Sequence, residues 1–329
     1  MQKLLDLRRR MKTVKTIMTV TGTLATVSAA KLSQTRARAE KMHAFTEKLR
    51  EILSDQQDYM AGSGRNLASA SPLLRPREGN RRTLIVLTGD RGMCGGYNLA
   101  IERFALEFWE RSVRDNKQVT FITKGRRGEA YLIRRHAEIV HAEGWRREGV
   151  TGAEVRRLLG SVLGLYLGGG TDEVWVMFTR FYSPVHHKPV LLRLLPMEVK
   201  ARPRPTHEPE PVQAAQSERW SYESSFSQVI NDLLRVALLA QLHDVLLESY
   251  ASEQAARMVT TKEASERAEK TLRECRVSYN RLRREAITVE LLGAMYAAEV
   301  SEGQSAAAIA AAVAAVAGGR VGGDLDNAR

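Results

Sequence analysis

VQAAQSERWSYESSFSQVINDLLRVALLAQLHDVLLESYASEQAARMVTTKEASERAEKTLRECRVSYNRLRREAITVELL, residues 212–292, contains neither proline nor glycine. Nothing in it stops a helix, so it reads as one helix of about 80 residues, which at the α-helical rise would span about 120 Å. A rod of that length cannot bury itself in its own globule. It has to pair with another helix, and much of its surface has to work against other proteins. Positions 272, 275, 279, 282, 286, 289, 293, 296 and 300 hold Leu, Cys, Tyr, Leu, Ala, Val, Gly, Tyr and Val, a three-four alternation that predicts the seam for that partner.

The other end of the chain supplies a matching seam. Positions 4, 7, 11, 14, 18, 21, 25, 28 and 32 are Leu, Leu, Met, Val, Met, Thr, Ala, Ser and Leu. The small residues Thr21, Ala25 and Ser28 leave room for a second helix to come close, and Gly22 costs this helix about 1 kcal/mol against alanine. The helical pattern continues through AEKMHAFTEKLREIL and fades near Tyr59. AGSGRN and SPLLRPREGN then read as loop.

Between the two rods the pattern changes. TLIVLT (Thr83–Thr88) predicts a buried strand, followed by the Gly-rich turn TGDRGMCGG and a helix from about Leu99. QVTFIT (Gln118–Thr123) is a second strand, with a turn and helix in KGRRGEAYLIRR. Glu154–Leu167 is a further helix, and Asp172–Phe181 and Lys188–Pro196 are two more strands. Strand and helix alternating in this way predict an α/β layer. ARPRPTHEPEP (201–211) reads as a Pro-rich linker. The expected fold is thus an α/β central domain inserted between two long terminal helices that form an antiparallel coiled coil. Its parts are an N-terminal helix over 1–60, a central domain over 61–211, a C-terminal helix over 212–303, where Gly293 and Gly303 weaken the end, and an Ala/Gly-rich tail over 304–329.

Composition limits the chemistry. The chain has 329 residues and a net charge of +12, with 43% hydrophobic, 6% aromatic and 27% charged residues. The charge suits an acidic partner, but Lys and Arg have few aromatics between them, which argues against a stacking platform for single-stranded nucleic acid. Two distant cysteines, Cys94 and Cys275, form neither a disulfide framework nor a metal set. The N-terminus MQKLLDLRRRMK lacks the apolar core of a secretory signal, and no window is long and apolar enough to span a bilayer.

No catalytic constellation emerges. TGDRGMCGG follows a strand but lacks the Gly-Lys-Ser/Thr ending of a phosphate loop, and its glycine spacing is not that of a dinucleotide fingerprint. A tight turn using glycine at positive φ is the expected role. Cys94 has no histidine placed to activate it, His186 and His187 read as loop, and the remaining histidines offer no helical ligand pair. No catalytic residue, metal or cofactor is expected. Arg257, Arg281, Arg283 and Arg284 read as charge-assisted contacts for acidic loops or as a solvated face with pairs such as Glu269 with Arg273.

Four segments together resemble the gamma subunit of F-type ATP synthases: MKTVKTIMTVTGTLATVSAAKL, LIVLTGDRGMCGGYN, DEVWVMFTRFYSPVHHKPVLLRLLP, and ESYASEQAARMV through YNRLRREAITVELL. The Asp-Arg-Gly-x-Cys-Gly-Gly turn and the C-terminal motifs in this order are specific to that family. The resemblance implies a central rotor shaft that couples ion flow through the membrane sector to conformational cycling of beta-subunit catalytic sites. Implied partners are the alpha and beta subunits of a hexamer, the epsilon subunit and the ring of c subunits, with no nucleic acid. Membrane contact would be indirect, through a complex on the cytoplasmic face of a bacterial inner membrane. Residue by residue, it implies that Gln254 and Arg257 touch a beta-subunit loop, that Arg284 and Thr288 lie near the hexamer collar, and that Tyr222 and Glu223 approach epsilon and the c ring. The chain departs from the family where Lys-Ile-Thr-Lys-Ala-Met is replaced by Thr19–Leu24, where Val289 stands for a usual glutamine, and where the tail runs on beyond Glu302. These changes mark a divergent form of the kind a second ATPase operon would carry. The alternative is a coiled-coil scaffold or basic nucleic-acid-binding protein with no rotary role.

Overall fold

The computed structural model describes residues 2–62, 70–146, 148–199 and 226–318. The Pro-rich linker at 201–211 and the expected helix start at 212 lie outside the described residues. The elements in order are α1 (Gln2–Gly62), β1 (Arg81–Leu87), α2 (Tyr97–Arg114), β2 (Gln118–Lys124), α3 (Arg126–Ile133), β3 (Ile139–Glu143), α4 (Gly152–Leu167), β4 (Glu173–Phe181), β5 (His187–Leu195) and α5 (Phe226–Gly318). Two long terminal helices thus bracket a mixed α/β sheet. The chain forms two compact units, Met1–Thr19 with Ser265–Arg329 in one and Val20–Ala264 in the other.

The sheet runs β3-β2-β1-β4-β5. β1 pairs in parallel with both β2 and β4, β2 with β3 likewise, and β4 turns back on β5 as an antiparallel hairpin. The central place goes to β1 because its apolar run can be buried on both faces, as an interior parallel strand must be. Leu84 and Val86 point into one core with Phe121, Met177, Tyr97 and Ile101; Ile85 and Leu87 point into the other. That second core joins Ile122, Val176 and Phe178 to Val155, Leu158 and Val162 of α4 and to Leu234, Leu238 and Leu246 of α5. α4 begins with a reciprocal cap, Thr151 accepting from the Glu154 amide while the Glu154 carboxylate accepts from the Thr151 amide.

One expectation is corrected by the strands. β3 was absent from the sequence reading: IVHAE is five residues long, polar at alternate positions and half exposed at a sheet edge, so it lacks an apolar run. α5 runs through Gly293 and Gly303 to Gly318, so the Ala-rich stretch that follows Gly303 is helical as well. Each glycine costs about 1 kcal/mol, which a helix already nucleated and flanked by alanine and glutamate can carry.

Inside the larger unit, α1 and α5 run side by side in opposite directions. Leu49 and Leu53 share a core with Ala237 and Leu238, His43 Nδ1 lies 3.2 Å from Asp244 Oδ2, and Leu32 clusters with Ala251 and Ala255. Falling numbers on α1 therefore meet rising numbers on α5. The expected small positions Thr21 and Ser28 are buried, and Ala25 is half-buried. In the smaller unit, Ser265 Oγ donates to the Met18 carbonyl at 3.2 Å, and Leu5, Met11 and Leu272 line a groove together with Arg8, Arg9, Lys12, Lys15 and Arg276.

Leu238 is fully buried where α5 meets the sheet. Leu238→Ala is expected to destabilise the chain by about 2–5 kcal/mol through lost burial and a residual cavity, read from the midpoint of chemical denaturation.

Candidate functional site

The Gly-rich turn after β1 is a seat for a helix. Thr88 Oγ1 accepts from the Gly128 amide at 2.8 Å and donates to the Gly125 carbonyl at 3.2 Å. The Gly89 amide donates to Asn98 Oδ1 at 2.8 Å, and the Asp90 carboxylate accepts from the Arg126 and Trp145 amides at 3.0 and 2.9 Å. Cys94 is buried, its thiol taking a bond from Asn98 Nδ2 at 3.2 Å, and burial, followed by the nearby Glu253 charge, pushes that thiol up. These internal bonds use donors and acceptors that a phosphate cradle would present to a ligand.

Residues 249–260 of α5 lie along this turn. Ser249 meets the Tyr97 hydroxyl, 2.9 Å from its Oγ and 3.0 Å from its carbonyl. Ser252 Oγ donates to the Thr179 carbonyl at 3.0 Å, at the end of β4. Glu253 sits against the turn itself: a Cβ at Gly89 would lie 2.8 Å from its Oε1, which is why glycine stands there. Gly95 adopts φ +57°, and a Cβ there would meet Thr260 Oγ1 at 3.0 Å. The Glu253 carboxylate accepts from Arg257 Nη2 at 2.6 Å, and the same guanidinium reaches the Arg91 carbonyl at 3.5 Å. Burial raises the Glu253 carboxyl, and the Arg257 charge pulls the other way.

Of the residues singled out in the sequence, Gln254 and Arg257 fall in this seat. Gln254 is 3% exposed, and Arg257 is committed to Glu253. Both line a cleft of about 360 Å³ with Lys31, Asp90, Arg91, Trp145, Arg146 and Tyr250. In sequence Glu253 is marked only by its i, i+4 spacing to Arg257. Tyr97, Ser249 and Ser252 had no sequence signal, because their partners come from distant elements. His187 opens β5, its ring 6.3 Å from that of Tyr97. Among the described residues no group of three or more His, Cys, Asp or Glu is placed to hold a metal ion, and no helix is long and apolar enough to cross a membrane.

Arg284 and Thr288 lie in the smaller unit, on the distal part of α5. Both are exposed; Arg284 Nε donates to the Asn280 carbonyl at 3.4 Å and Thr288 Oγ1 to the Arg284 carbonyl at 2.9 Å. The expected pair Glu269–Arg273 forms at 2.6 Å. The predicted seam is buried at Leu272 and Cys275 and half-buried at Tyr279, Leu282 and Ala286. Beyond that it is corrected: Val289 is 69% and Tyr296 66% exposed, as are Ile287, Leu291, Leu292 and Met295 in comparable measure. The reason is the length of α1. With Met18 level with Ser265 and equal rise in both helices, the start of α1 comes level with about residue 281 of α5. Past that point no described residue of α1 lies beside α5. Tyr222 and Glu223 lie outside the described residues.

The ATP synthase family model matches residues 3–299. An ATP synthase gamma chain from Beijerinckia indica is 32% identical over 305 residues, covering 91% of this chain and 99% of that one. One from Desulforamulus reducens is 31% identical over 286 residues, covering 87% and 94%. Among solved structures, the rotor of the Euglena gracilis mitochondrial ATP synthase aligns with a TM-score of 0.56 at 13% identity, over 87% of this chain and 99% of that one. The central stalk and c-ring structure from Tetrahymena thermophila aligns with a TM-score of 0.55 at 19% identity, over 75% and 99%.

Glu253→Ala would leave the largely buried Arg257 cation without its partner. The expected cost is about 3–5 kcal/mol, measured by chemical denaturation. Gly89→Ala is expected to lower stability as well, because its Cβ meets a carboxylate held by Arg257. Gly92→Ala, with nothing within 4 Å of its Cβ, is expected to leave stability within about 0.5 kcal/mol of the parent.

Proposed function

Because the chain belongs to the gamma subunits of F-type ATP synthases, we propose that α1 and α5 wind as an antiparallel coiled coil that turns inside a hexamer of alpha and beta subunits. The chain is the central-stalk rotor of the complex and makes no bond itself. On this reading its base engages an epsilon subunit and a ring of c subunits, on the cytoplasmic face of a bacterial membrane. Tyr222 and Glu223 are the base contacts that the family resemblance supports.

The observation that carries the reading is the uncovered apolar end of α5. Six large apolar side chains between Ile287 and Tyr296 are each close to half or more exposed on one single helix. A patch of that kind marks a surface built to be covered by another protein. An enclosing collar of subunits with apolar walls would cover it, with Arg284 at its mouth for a carboxylate and Thr288 beside it. Gln254 and Arg257 would meet a beta-subunit loop at the cleft beside the Gly-rich turn, where Lys31, Arg91 and Arg146 add positive charge.

Coupling follows from asymmetry. A shaft can shift a conformational equilibrium only by contacting the alternative states with different free energies. Where two helices give way to one, the surface is lopsided, so each surrounding catalytic subunit meets a different face at each angle. Turning the shaft then changes which subunit is favoured open and which closed. The scaffold or nucleic-acid reading has only the net charge of +12 in its favour.

Reconstitution with an alpha-beta hexamer tests the proposal. The full chain is expected to restore ATPase-driven proton pumping when epsilon and the membrane sector are present. A chain ending at Ala286 is expected to bind the hexamer about tenfold or more weakly, as for the loss of buried anchor residues. Pumping that is unchanged by that truncation would remove the apolar end from the mechanism. Hexamer ATPase indifferent to the presence of the chain would remove the rotor reading itself.

A further inference from the structure

A cavity of about 420 Å³ opens in the larger unit where α1, α5 and the β4–β5 hairpin meet. Its volume falls in the range of small-molecule sites, about 300–1,000 Å³. Five apolar side chains line it: Leu53 of α1, Ala237 of α5, Leu192 of β5, and Met197 and Val199 just beyond that strand. Leu53 and Ala237 are buried, so the apolar part reaches into the packed interior. Thr46 lines the cavity too, but its hydroxyl is spent on the Met42 carbonyl at 2.9 Å. None of the described lining residues is aromatic. A nucleobase would find no ring to stack on there, and a flexible aliphatic body is the better match.

Three arginines from three elements line the same space, Arg50 of α1, Arg180 of β4 and Arg193 of β5, against one carboxylate, Glu198. Arg50 and Arg180 are exposed and pair with Glu47 and Glu248, which are not among the lining residues. Exposed pairs of this kind are weak, and a guanidinium has five N–H donors, so each keeps donors for a second acceptor. Arg193 gives the sharper sign. One of its terminal nitrogens pairs with Glu198, yet its Nε is buried without a hydrogen-bond partner among the described residues. A buried donor left unbonded is costly, and it marks a place that lacks an acceptor.

We infer that this cavity binds an amphiphilic anion, with one carboxylate or phosphate head held by Arg50, Arg180 and Arg193 and an aliphatic tail lying against Leu53, Leu192, Met197, Val199 and Ala237. Free fatty acids and the anionic lipids of a membrane share that chemistry. The inference does not depend on the rotor reading, because every group it uses belongs to this chain.

The test uses the full chain, with dodecanoate below its micelle-forming concentration as the probe. Equilibrium dialysis is expected to show one saturable site. Arg50→Glu reverses an exposed charge, and Val199→Trp fills the apolar part. Each is expected to weaken binding about tenfold or more, as for a lost charge-assisted hydrogen bond or lost apolar burial, with the denaturation midpoint at the parent's value. Should one variant shift that midpoint, the other decides. Dodecyltrimethylammonium, which has the same tail and a cationic head, is expected not to occupy the site. Sedimentation with phosphatidylglycerol vesicles separates the two sources. A chain that binds dodecanoate but stays in the supernatant takes a free acid; one that sediments, and does so less as either variant, takes a membrane lipid. Dodecanoate bound equally by parent and variants, or a cationic analogue bound as tightly as the anion, would overturn the inference and assign the binding to general apolar adsorption. The absence of both saturable dodecanoate binding and variant-sensitive sedimentation would overturn it as well.

Discussion

Everything in the larger unit depends on the burial of α5 between residues 230 and 256. From Ala237 to Ala256 the helix is covered on its whole circumference: every residue there is buried or half-buried. An α-helix is normally apolar on one stripe; one covered all round has to find a different partner for each side. Leu234, Leu238 and Leu246 go to the sheet and α4, Ala251 and Ala255 to Leu32 of α1, and Ser249, Ser252 and Glu253 to the Gly-rich turn and the end of β4. The sheet's inner face is thus completed by the last helix of the chain. The polar side chains that reach this interface are there because the ends of β1 and β4 present backbone and hydroxyl groups that need bonding partners.

The same constraint decided what could be read from the sequence. The two rods were legible because helical periodicity and the lack of proline and glycine are local signals. TLIVLT announced a central strand because double burial demands a continuous apolar run. The edge strand β3 carries no such run, since none of its five residues is fully buried. The turn TGDRGMCGG was legible as a turn and as a family mark, but its purpose was not, because Gly89 is explained only by the Glu253 carboxylate, 164 positions away. Gln254 and Arg257 stand out in sequence only through the family resemblance, while their burial against the turn is a tertiary fact. The seam beyond Ala286 looks like the rest of the stripe in sequence, and its exposure is a tertiary fact.

One buried charge illustrates how the layer is fixed. Lys124 closes β2 with its ammonium almost wholly inside, donating to the Gly144 carbonyl at 2.9 Å and to Glu154 at 3.0 Å, with Glu143 at 3.2 Å and the Trp145 ring beneath. Glu154 is at the same time the capping residue of α4. A buried pair of this sort adds little net stability over an apolar pair, but removing one member is costly. Here it ties the end of a central strand, the end of β3 and the first turn of α4 to one point, beside the turn on which α5 rests.

The pairing of the chain's first and last helices has a consequence for biosynthesis. His43 and Asp244 are neighbours across 201 positions of sequence. Ribosomal elongation at about 5–20 residues per second leaves an interval on the order of 10–40 s in which the apolar stripe of α1 has emerged and its mate has not. Throughout that interval the nascent N-terminal rod is an unprotected amphipathic surface, while the sheet beside it lacks the helix that closes its inner face. A chaperone or a waiting assembly partner that shields Leu32–Leu53 would therefore act before translation ends, whereas one that recognises only the finished helix pair would come too late to prevent aggregation.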